Sequence, residues 1–286
     1  GSSVLRSIHK HKLADKVYIY EKSKKNISRI TNLKLPGKVV STLKEAVTKS
    51  NFIIFCTPMS EYKNIIIKIN NYISPNTLIT DVGSSKIESS KIIKKFLKKG
   101  IAWTSSHPIA GSEESGPQHG KSNMFEGRWC ILIKEKNTIK KNLNFLKKFW
   151  EKIGSKVTIM SPEKHDKIFS ITSHLPHLIA YNLVKSAQDF EKKQSYDLIK
   201  YSAGGLRDFS RIAASNEIMW RDIFFNNNKN ISNAIDLFIK NLKSFKSDIN
   251  SKNNKSIINK LIQTKKVRSK IIKLKQDINK PDFGRS

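Results

Sequence analysis

Three histidines stand in segments whose composition is unusual for the core of a protein. His107 lies within Ser-Ser-His-Pro-Ile-Ala-Gly-Ser-Glu-Glu-Ser-Gly (residues 105–116), and His174 and His177 lie within Ser-His-Leu-Pro-His (residues 173–177). The first segment is too rich in glycine and serine for a regular helix or strand, so we predict a loop. Loops of this kind hold catalytic groups more often than they fill a core. We therefore predict that His107 is a proton acceptor, a role that suits an imidazole near neutral pH.

A third unusual segment begins with two glycines and carries paired arginines. It reads Gly-Gly-Leu-Arg-Asp-Phe-Ser-Arg-Ile-Ala (residues 204–213), which places Asp208 between Arg207 and Arg211. Asp208 also has the simpler interpretation of an ion-pair partner for a neighbouring arginine. The presence of this segment strengthens the prediction that His107 is catalytic.

Length and composition predict two domains and no membrane span. The chain has 286 residues and a mass of 32.7 kDa, which suits two domains of ordinary size. No apolar run reaches the length of a bilayer span, and no export leader is evident. Cys56 and Cys130 lie in apolar runs typical of buried strands, as expected in a reducing compartment. We therefore expect a cytoplasmic protein, and we expect no metal site, because the histidines lack acidic partners at ligand spacing.

The excess of positive charge allows a different interpretation. Lys and Arg number 54 against 23 Asp and Glu, which gives a formal net charge of +31. A basic surface concentrates polyanions such as nucleic acids. Lysine is, however, spread along the whole chain on the polar sides of amphipathic segments, and no recognised nucleic-acid-binding motif accompanies it. Nucleic-acid binding is therefore the less favoured function.

Residues 1–162 alternate between helical and strand-like segments, which predicts an α/β domain with a parallel sheet. A helical stripe is followed by the strand-like run Val-Tyr-Ile-Tyr and then by Glu21. An acidic residue about twenty positions after a glycine-containing turn is typical of a dinucleotide-binding unit, where it binds the ribose hydroxyls. On this interpretation Gly1, Ser2 and Ser3 end the phosphate-binding loop, and the first strand of a Rossmann-type domain is missing before them.

The residues after the strands bear on the choice of cofactor. Glu21 favours NAD over NADP, because a carboxylate repels the extra phosphate of NADP, while Lys22 and Lys24 leave NADP open. Ligands of open α/β sheets bind outside the carboxyl ends of the strands. The positions that follow the strand-like runs of residues 52–56 and 78–82 are therefore predicted to contact the cofactor as well; they are Thr57, Pro58 and Gly83.

Residues 163–286 show helical periodicity throughout and no convincing strand. The long helical pattern of residues 164–192 is interrupted at Pro176, and further helices are expected over residues 206–214, 218–225, 230–246 and 253–275. Ser161-Pro162 is the natural boundary between the two domains. Long apolar stripes on the later helices predict that the all-helical domain packs against a second copy of the chain.

Together these segments resemble the prephenate/arogenate dehydrogenase family of tyrosine biosynthesis, which is also called the cyclohexadienyl dehydrogenase family. The resemblance spans nearly the whole chain in the order of that family. Its residues here are Gly1-Ser2-Ser3, Thr57-Pro58, Asp81-Val82-Gly83-Ser84, His107-Pro108-Ile109-Ala110-Gly111 with Glu113, Ser173-His174-Leu175-Pro176-His177, Gly204-Gly205 through Arg211-Ile212-Ala213, and Met219-Trp220-Arg221-Asp222.

The resemblance implies an oxidative decarboxylation in which NAD(P) accepts hydride from a cyclohexadienol and carbon dioxide leaves. It implies that His107 accepts the proton of the ring hydroxyl and that Ser84 hydrogen-bonds the same hydroxyl. Arg211 would bind a substrate carboxylate, which its planar fork suits better than lysine would. By the same resemblance His177, Ser173 and Trp220 line the substrate pocket and Glu113 stands near its entrance.

Two alternatives remain open at this point. Another two-domain NAD(P)-dependent dehydrogenase, acting on a small hydroxy acid, would share the same domain order. Such enzymes usually rely on a catalytic lysine in the helical domain, and no lysine stands out here. Within the dehydrogenase family, no single residue decides between prephenate and arogenate.

Overall fold

Short apolar runs that end at polar or turn-forming residues form the strands of this chain. The structure is a computed structural model, and it describes residues 1–111, 114–194 and 197–274. Its strands are β1 (Tyr18–Ile19), β2 (Lys38–Val39), β3 (Phe52–Phe55), β4 (Leu78–Asp81), β5 (Ala102–Trp103), β6 (Ser106–Pro108), β7 (Trp129–Ile133) and β8 (Lys156–Met160).

Helices connect these strands and make up most of the rest of the described chain. They are α1 (Ser2–Lys10), α2 (Lys24–Asn32), α3 (Leu43–Thr48), α4 (Tyr62–Ile69), α5 (Ile87–Phe96), α6 (Lys140–Lys152), α7 (Pro162–Phe169), α8 (Leu175–Gln194), α9 (Gly204–Ile212), α10 (Glu217–Asn226), α11 (Asn228–Asn250) and α12 (Asn254–Lys273). Ser23, Thr42 and Ser161 cap α2, α3 and α7 with their hydroxyls, which accept the free amides of the first turn.

The strands form three small sheets, and helices connect their parallel neighbours. β1 pairs with β2, and β3, β4 and β5 pair in that order, all parallel. β7 pairs parallel with β8 and antiparallel with β6. Parallel pairing follows from the crossover helices α2, α4, α5 and α6. This is the predicted Rossmann-type arrangement followed by a helical region; the first strand expected before Gly1 stays a prediction.

His107 lies in a strand, so the prediction of a loop was wrong. It is the middle residue of β6, opposite Ile131 of β7. Only three residues pair here, and Pro108, which has no amide hydrogen, is the last of them. Cys130 is buried in β7 as expected, but Cys56 is exposed because it follows the last residue of β3.

The helical region begins directly after β8 and contains one irregular stretch. A π-helical segment (Ser170–His174) joins α7 to α8, where the sequence predicted one helix broken at Pro176. Pro176 is instead the second residue of α8, a position that needs no amide donor. The helix is therefore continuous, and its irregular turn lies just before the proline, where Ser173 and His174 depart from regular α-helical spacing.

Two apolar cores lie on either side of the β3–β4–β5 sheet region, and one of them includes the helical region. Trp150 and Leu146 of α6 belong to the first core. The second contains Tyr62 and Ile66 of α4 together with Trp220 and Ile223 of α10. Because α10 shares this core, the helical region is packed firmly against the strands that position the site.

Candidate active site

The imidazole of His107 is buried where β6 meets α7. Its exposed fraction is 8%, and its ring centroid lies 5.1 Å from that of Phe169, edge to face. Its Nδ1 is 2.8 Å from Nε2 of His165, a residue of α7. The candidate base is therefore held by a second imidazole, which the sequence analysis did not identify.

A carboxylate extends this pair into a chain of three groups. Nδ1 of His165 is 2.8 Å from Oδ1 of Asp166, and both residues are fully buried. The Asp166 carboxylate also accepts the backbone amides of Lys86 and Ile87, at 2.8 and 2.9 Å. These amides lie at the start of α5, where free donors and the helix dipole stabilise a negative charge.

The side chain of Lys86 forms a second buried charge cluster beside His107. Its ammonium is 2.9 Å from Oδ2 of Asp81 and 2.7 Å from the carbonyl of Ser106, the residue before His107. Neither member of the ion pair is exposed to solvent. The Asp81 carboxylate also accepts the hydroxyls of Tyr62 and Ser105 and the amide of Gly83, so its negative charge is fully compensated.

These surroundings keep the histidines of the site neutral. Burial lowers the pKa of His107 well below its usual value, and the nearby His165, Lys86 and His174 lower it further. Burial also lowers the pKa of His165, although the hydrogen bond to Asp166 acts in the opposite direction. An imidazole that is neutral at physiological pH has a lone pair with which to accept a proton.

Ser84 and His174 lie next to this cluster. Ser84 is half-buried in the turn after β4. Its backbone acts to raise the pKa of His174, against the larger effect of burial. His174 is fully buried, and burial lowers its pKa to about 4. Its Nδ1 accepts the side-chain amide of Asn227 at 3.1 Å. Within the described residues the hydroxyl of Ser84 makes no hydrogen bond, which leaves it available to a ligand.

His177 and Trp220 form a stacked pair at the edge of the helical region. Their ring centroids are 3.8 Å apart with an interplanar angle of 22°. The Nδ1–H of His177 donates to the carbonyl of Ser173 at 2.9 Å, so Nε2 carries the free lone pair. Burial lowers the pKa of His177, and the charge of Arg211 on α9 lowers it further. The structure thus brings together the four predicted substrate residues of this region.

The predicted cofactor residues gather at the carboxyl ends of parallel strands. Thr57 and Pro58 follow β3, and Gly83 follows β4. A Cβ on Gly83 would lie 2.8 Å from both the Asp81 carboxylate and the Tyr62 hydroxyl, so only glycine fits there. Glu21 lies two residues beyond β1, and its carboxylate accepts the amide of Ser23 at 2.8 Å.

The amino end of α1 approaches the same edge. A Cβ on Gly1 would lie 3.3 Å from Cβ of Cys56, the residue before Thr57. No side chain caps the helix, so the amides of its first turn, which begins at Ser2, are free to bind an anion. Ser3 is buried, and its hydroxyl accepts the amide of Lys121 at 3.1 Å.

Two further features of the described residues bear on the site. They contain no group of three or more His, Cys, Asp or Glu residues placed to hold a metal ion. In the same parts of the chain, no helix has the length and apolar character needed to cross a membrane. Glu113, predicted near the pocket entrance, lies outside the described residues.

Comparison with known proteins finds a family match for each half of the chain. Residues 4–159 match the family model described as "Prephenate dehydrogenase, nucleotide-binding domain". Residues 161–263 match the model described as "Prephenate dehydrogenase, dimerization domain". The chain belongs to the prephenate dehydrogenase family. A cyclohexadienyl dehydrogenase of Zymomonas mobilis, one such relative, is 31% identical over 268 residues, which cover 94% of this chain and 91% of that protein.

Two other members of the prephenate dehydrogenase family are similar to this chain. A prephenate dehydrogenase of Bacillus subtilis is 33% identical over 210 residues, which are 73% of this chain and 55% of that longer protein. The crystal structure of prephenate dehydrogenase from Aquifex aeolicus in complex with hydroxyphenyl propionate and NAD+ superposes with a TM-score of 0.87. It shares 33% sequence identity, and the similarity covers 94% of each chain.

Both domains of the prephenate dehydrogenase family contribute to the site of this chain. His107 and Ser84 lie in the part matched as nucleotide-binding, whereas His165, His174 and Arg211 lie in the part matched as dimerization domain. Sequence reasoning missed His165 and Asp166 although a signal was present. Pro162, His165, Asp166 and Phe169 are the buried positions of α7, and their spacing is that of an apolar stripe with a polar pair inside it.

Proposed function

We propose that this chain is an NAD-dependent dehydrogenase that catalyses the oxidative decarboxylation of prephenate or arogenate in tyrosine biosynthesis. The observation that carries the proposal is the neutral, buried imidazole of His107, which stands where the two family domains meet. The descriptions of the two relatives support it: the protein of Bacillus subtilis is named a prephenate dehydrogenase and that of Zymomonas mobilis a cyclohexadienyl dehydrogenase. No observation favours the alternative of a simple hydroxy-acid dehydrogenase.

The residues at the strand ends fit a dinucleotide. The uncapped start of α1, from Gly1 to Ser3, would bind the pyrophosphate, and Glu21 would bind the ribose hydroxyls. Thr57, Pro58 and Gly83 would line the nicotinamide side, where the lack of a side chain at Gly83 lets the turn pack closely against Asp81 and Tyr62. When bound, NAD supplies the acceptor for the two electrons that the substrate loses. Lys22 is paired with Glu61 at 2.6 Å, which supports NAD over NADP.

The chain's own residues would orient the substrate and move one proton. His107 takes the proton of the ring hydroxyl as its carbon is oxidised, and Ser84 holds the same oxygen at the correct angle. The bond to the ring carboxyl group then breaks, carbon dioxide leaves, and the electron pair of that bond makes the ring aromatic. His107 finally returns the proton to the phenolate oxygen.

Substrate binding is assigned to the helical side of the site. Arg211 binds a carboxylate of the substrate through its guanidinium fork. His177 and Ser173 line the pocket, and Trp220 supports it by stacking on His177. Glu113 is assigned to the pocket entrance on the basis of the resemblance alone.

We further propose the setting in which this enzyme works. We assign residues 1–162 to a cofactor-binding domain and residues 163–286 to a domain that forms a homodimer; the match of residues 161–263 to a dimerization domain supports this assignment. Both cysteines are free, which supports a cytoplasmic location. Neither nucleic acid nor a membrane is needed as a partner.

The proposal is tested by NADH formation with prephenate, arogenate and a panel of small hydroxy acids. The His107→Asn variant should lose about 10²-fold or more in kcat with either substrate, because general base catalysis is worth that much. Its Kd for NAD should not change. The His9→Gln variant, altered at an exposed residue of α1, is the control. A His107→Asn variant with unchanged kcat, or wild-type turnover of the hydroxy acids alone, would refute the proposal.

A further inference from the structure

His107, His165 and Asp166 form a continuous hydrogen-bonded line from β6 through α7 to the start of α5. The two links are both 2.8 Å long, and the most exposed of the three residues is His107, at 8%. We propose that His165 and Asp166 are positioning residues, which fix the tautomer of His107 so that its Nε2 is the atom that accepts the substrate proton. This inference rests on the proposed function.

The direction of each hydrogen bond follows from the carboxylate. An ionised carboxylate only accepts, so Nδ1 of His165 must carry the hydrogen that it donates to Asp166. A neutral His165 then has a bare Nε2, which can only accept. Nδ1 of His107 must therefore be the donor of the second link. What remains on His107 is an unprotonated Nε2 with its lone pair directed away from His165.

The carboxylate end of the line is anchored by backbone. Asp166 accepts the amides of Lys86 and Ile87, and its own carbonyl accepts the side chain of Asn227 at 2.8 Å. Two separate parts of the chain, the start of α5 and Asn227 between α10 and α11, thus hold the residue that sets the hydrogen-bond direction. Such rigid support suits a positioning role, because a tautomer is fixed only as firmly as the partner that selects it.

Burial and the charge of Lys86 favour the neutral form of both imidazoles, and the carboxylates of Asp81 and Asp166 oppose this effect at His165. Lys86 faces His107 and His165, while Asp81 and Asp166 face His165. Lys86 is itself held by Asp81 and by the carbonyl of Ser106, so it does not occupy the carboxylate of Asp166. A protonated His165 would donate from Nε2 and force the opposite tautomer on His107, and the lowered pKa of His165 opposes that state.

Replacing the Asp166 carboxylate with an amide allows the donor and acceptor roles in both hydrogen bonds to be exchanged. In an Asp166→Asn variant, an amide nitrogen placed toward His165 donates to its Nδ1, so Nε2 of His165 carries the hydrogen. His107 must then accept at Nδ1 and carry its own hydrogen on Nε2, where it blocks proton transfer. The nitrogen in that orientation also faces the amide of Lys86, whereas in the other orientation it faces the amide of Ile87 and the oxygen toward His165 keeps the wild-type direction. Both orientations change hydrogen bonds only around residue 166, so their effects are distinguishable from a general loss of folding.

The first test reads the tautomer directly. Full-length protein labelled with ¹⁵N at histidine should show His107 as the Nδ1–H form in long-range ¹H–¹⁵N spectra, and the Nε2–H form should appear in Asp166→Asn. A wild-type His107 in the Nε2–H form overturns the inference by itself. This readout does not depend on turnover. It therefore separates a failure of the inference from a failure of the proposed function, which would appear as wild-type protein that oxidises neither prephenate nor arogenate.

The second test reads kinetics with a conservative rescue. The Asp166→Asn and His165→Phe variants should lose about 10²- to 10⁴-fold in kcat, as expected for a base in the wrong tautomer, with the Kd for NAD retained. His165→Gln restores an acceptor near Nδ1 of His107 and should recover at least about tenfold over His165→Phe. The Asp248→Asn and His9→Gln variants repeat the same chemical changes away from the line and should keep wild-type kcat. Folded Asp166→Asn with wild-type kcat and pH profile, or no difference between Gln and Phe at position 165, overturns the inference.

Discussion

One residue that affects the electrostatics of the site is Lys86, which is fully buried and bonded to Asp81 and to the carbonyl of Ser106. A buried ammonium is costly unless its partners compensate it, and here they do. The charge of Lys86 also lowers the pKa of His107, in addition to the larger effect of burial. Lys86 therefore links stability to the protonation state of the base.

Replacing Lys86 with Met should change both properties. The Asp81 carboxylate would remain buried without its cation, which should cost about 3–5 kcal/mol of unfolding free energy. Without the nearby positive charge the pKa of His107 should rise, so kcat/KM should begin to fall at a higher pH on the acid side. Urea unfolding and a pH profile of kcat/KM measure the two effects. Lys91→Met, at an exposed lysine of α5 paired with Glu88, is the control, and equal behaviour of both variants would contradict the prediction.

Individual residues of the site were predictable to the extent that sequence neighbours mark them. His107, His177 and Arg211 stand in unusual segments, and these segments carried the family resemblance. His165 and Asp166 were not predicted, because they occupy the buried positions of an ordinary-looking helix. A polar pair on an apolar stripe becomes informative only when its partner is known, and that partner lies 58 positions away in the chain.

At the scale of elements, a hydrogen bond between α10 and the turn after β3 joins the two halves of the chain. Asp222 is nearly buried and accepts the amide of Ser60 at 2.9 Å. Burial acts against its charge, yet the hydrogen bonds from Ser60 and Arg221 hold the pKa of Asp222 below its usual value. The turn it holds directly follows Thr57 and Pro58, so α10 helps to shape the proposed cofactor edge.

Replacing Asp222 with Ala should therefore affect cofactor binding as well as stability. The amide of Ser60 would lose its acceptor, which should cost about 1–3 kcal/mol of unfolding free energy. The turn would also loosen, so the Kd for NAD should rise while kcat at saturating NAD stays close to wild type. Calorimetric titration and urea unfolding measure these effects. Asp236→Ala, at an exposed residue of α11, should change neither the Kd for NAD nor the unfolding free energy. An unaltered Kd in Asp222→Ala would show that the hydrogen bond between Asp222 and Ser60 does not support the cofactor edge.

Element types were predicted well by periodicity, whereas the exceptions depended on tertiary contacts. The alternation of residues 1–162 and the helices of the second half were both confirmed. The strand at His107 was missed because its pairing with β7 overrides the local preference of a serine- and glycine-rich segment. The π-helical stretch at Ser173 was missed because proline predicts a break but not the way the backbone accommodates it.

At the scale of the whole molecule, buried neutral histidines should make stability depend on pH. His174 has a pKa of about 4 when folded, against 6.5 for an unperturbed side chain. Between these values the unfolded chain binds a proton that the folded chain does not. The free energy of unfolding is therefore highest above pH 6.5 and should fall by about 3 kcal/mol from this residue as the pH is lowered toward 4. His107, His165 and His177 act in the same direction.

Urea unfolding between pH 7 and pH 4 measures this loss. In His174→Asn the new side chain still offers Asn227 an acceptor but does not titrate, so the slope of stability against pH should be shallower than in wild type. His9→Asn, at an exposed histidine, should leave the slope unchanged. Equal slopes in all three proteins would show that His174 does not contribute to acid unfolding.

The proposed homodimer is also a property of the whole molecule. Burial of apolar side chains favours it, and repulsion between the two positively charged chains opposes it. Ile258, Leu261 and Ile262 lie at helical spacing on one side of α12, and each is about half exposed. Leu242 on α11 is 56% exposed. Burying the exposed half of one such side chain against a second copy contributes about 1 kcal/mol. A net charge of +31 on each chain acts against association, so salt should strengthen the dimer by screening it.

Sedimentation should therefore show wild-type protein at twice 32.7 kDa, with a dissociation constant that falls as salt is added. A double variant, Leu242→Lys with Leu261→Lys, places charges on the apolar sides of α11 and α12 and should sediment as a monomer. Asn241→Lys with Gln263→Lys adds the same charge at exposed polar positions and should remain dimeric, because the apolar contact is intact. Two monomeric variants would assign the effect to charge alone, and a monomeric wild type at micromolar concentration would show that these helices do not form the contact.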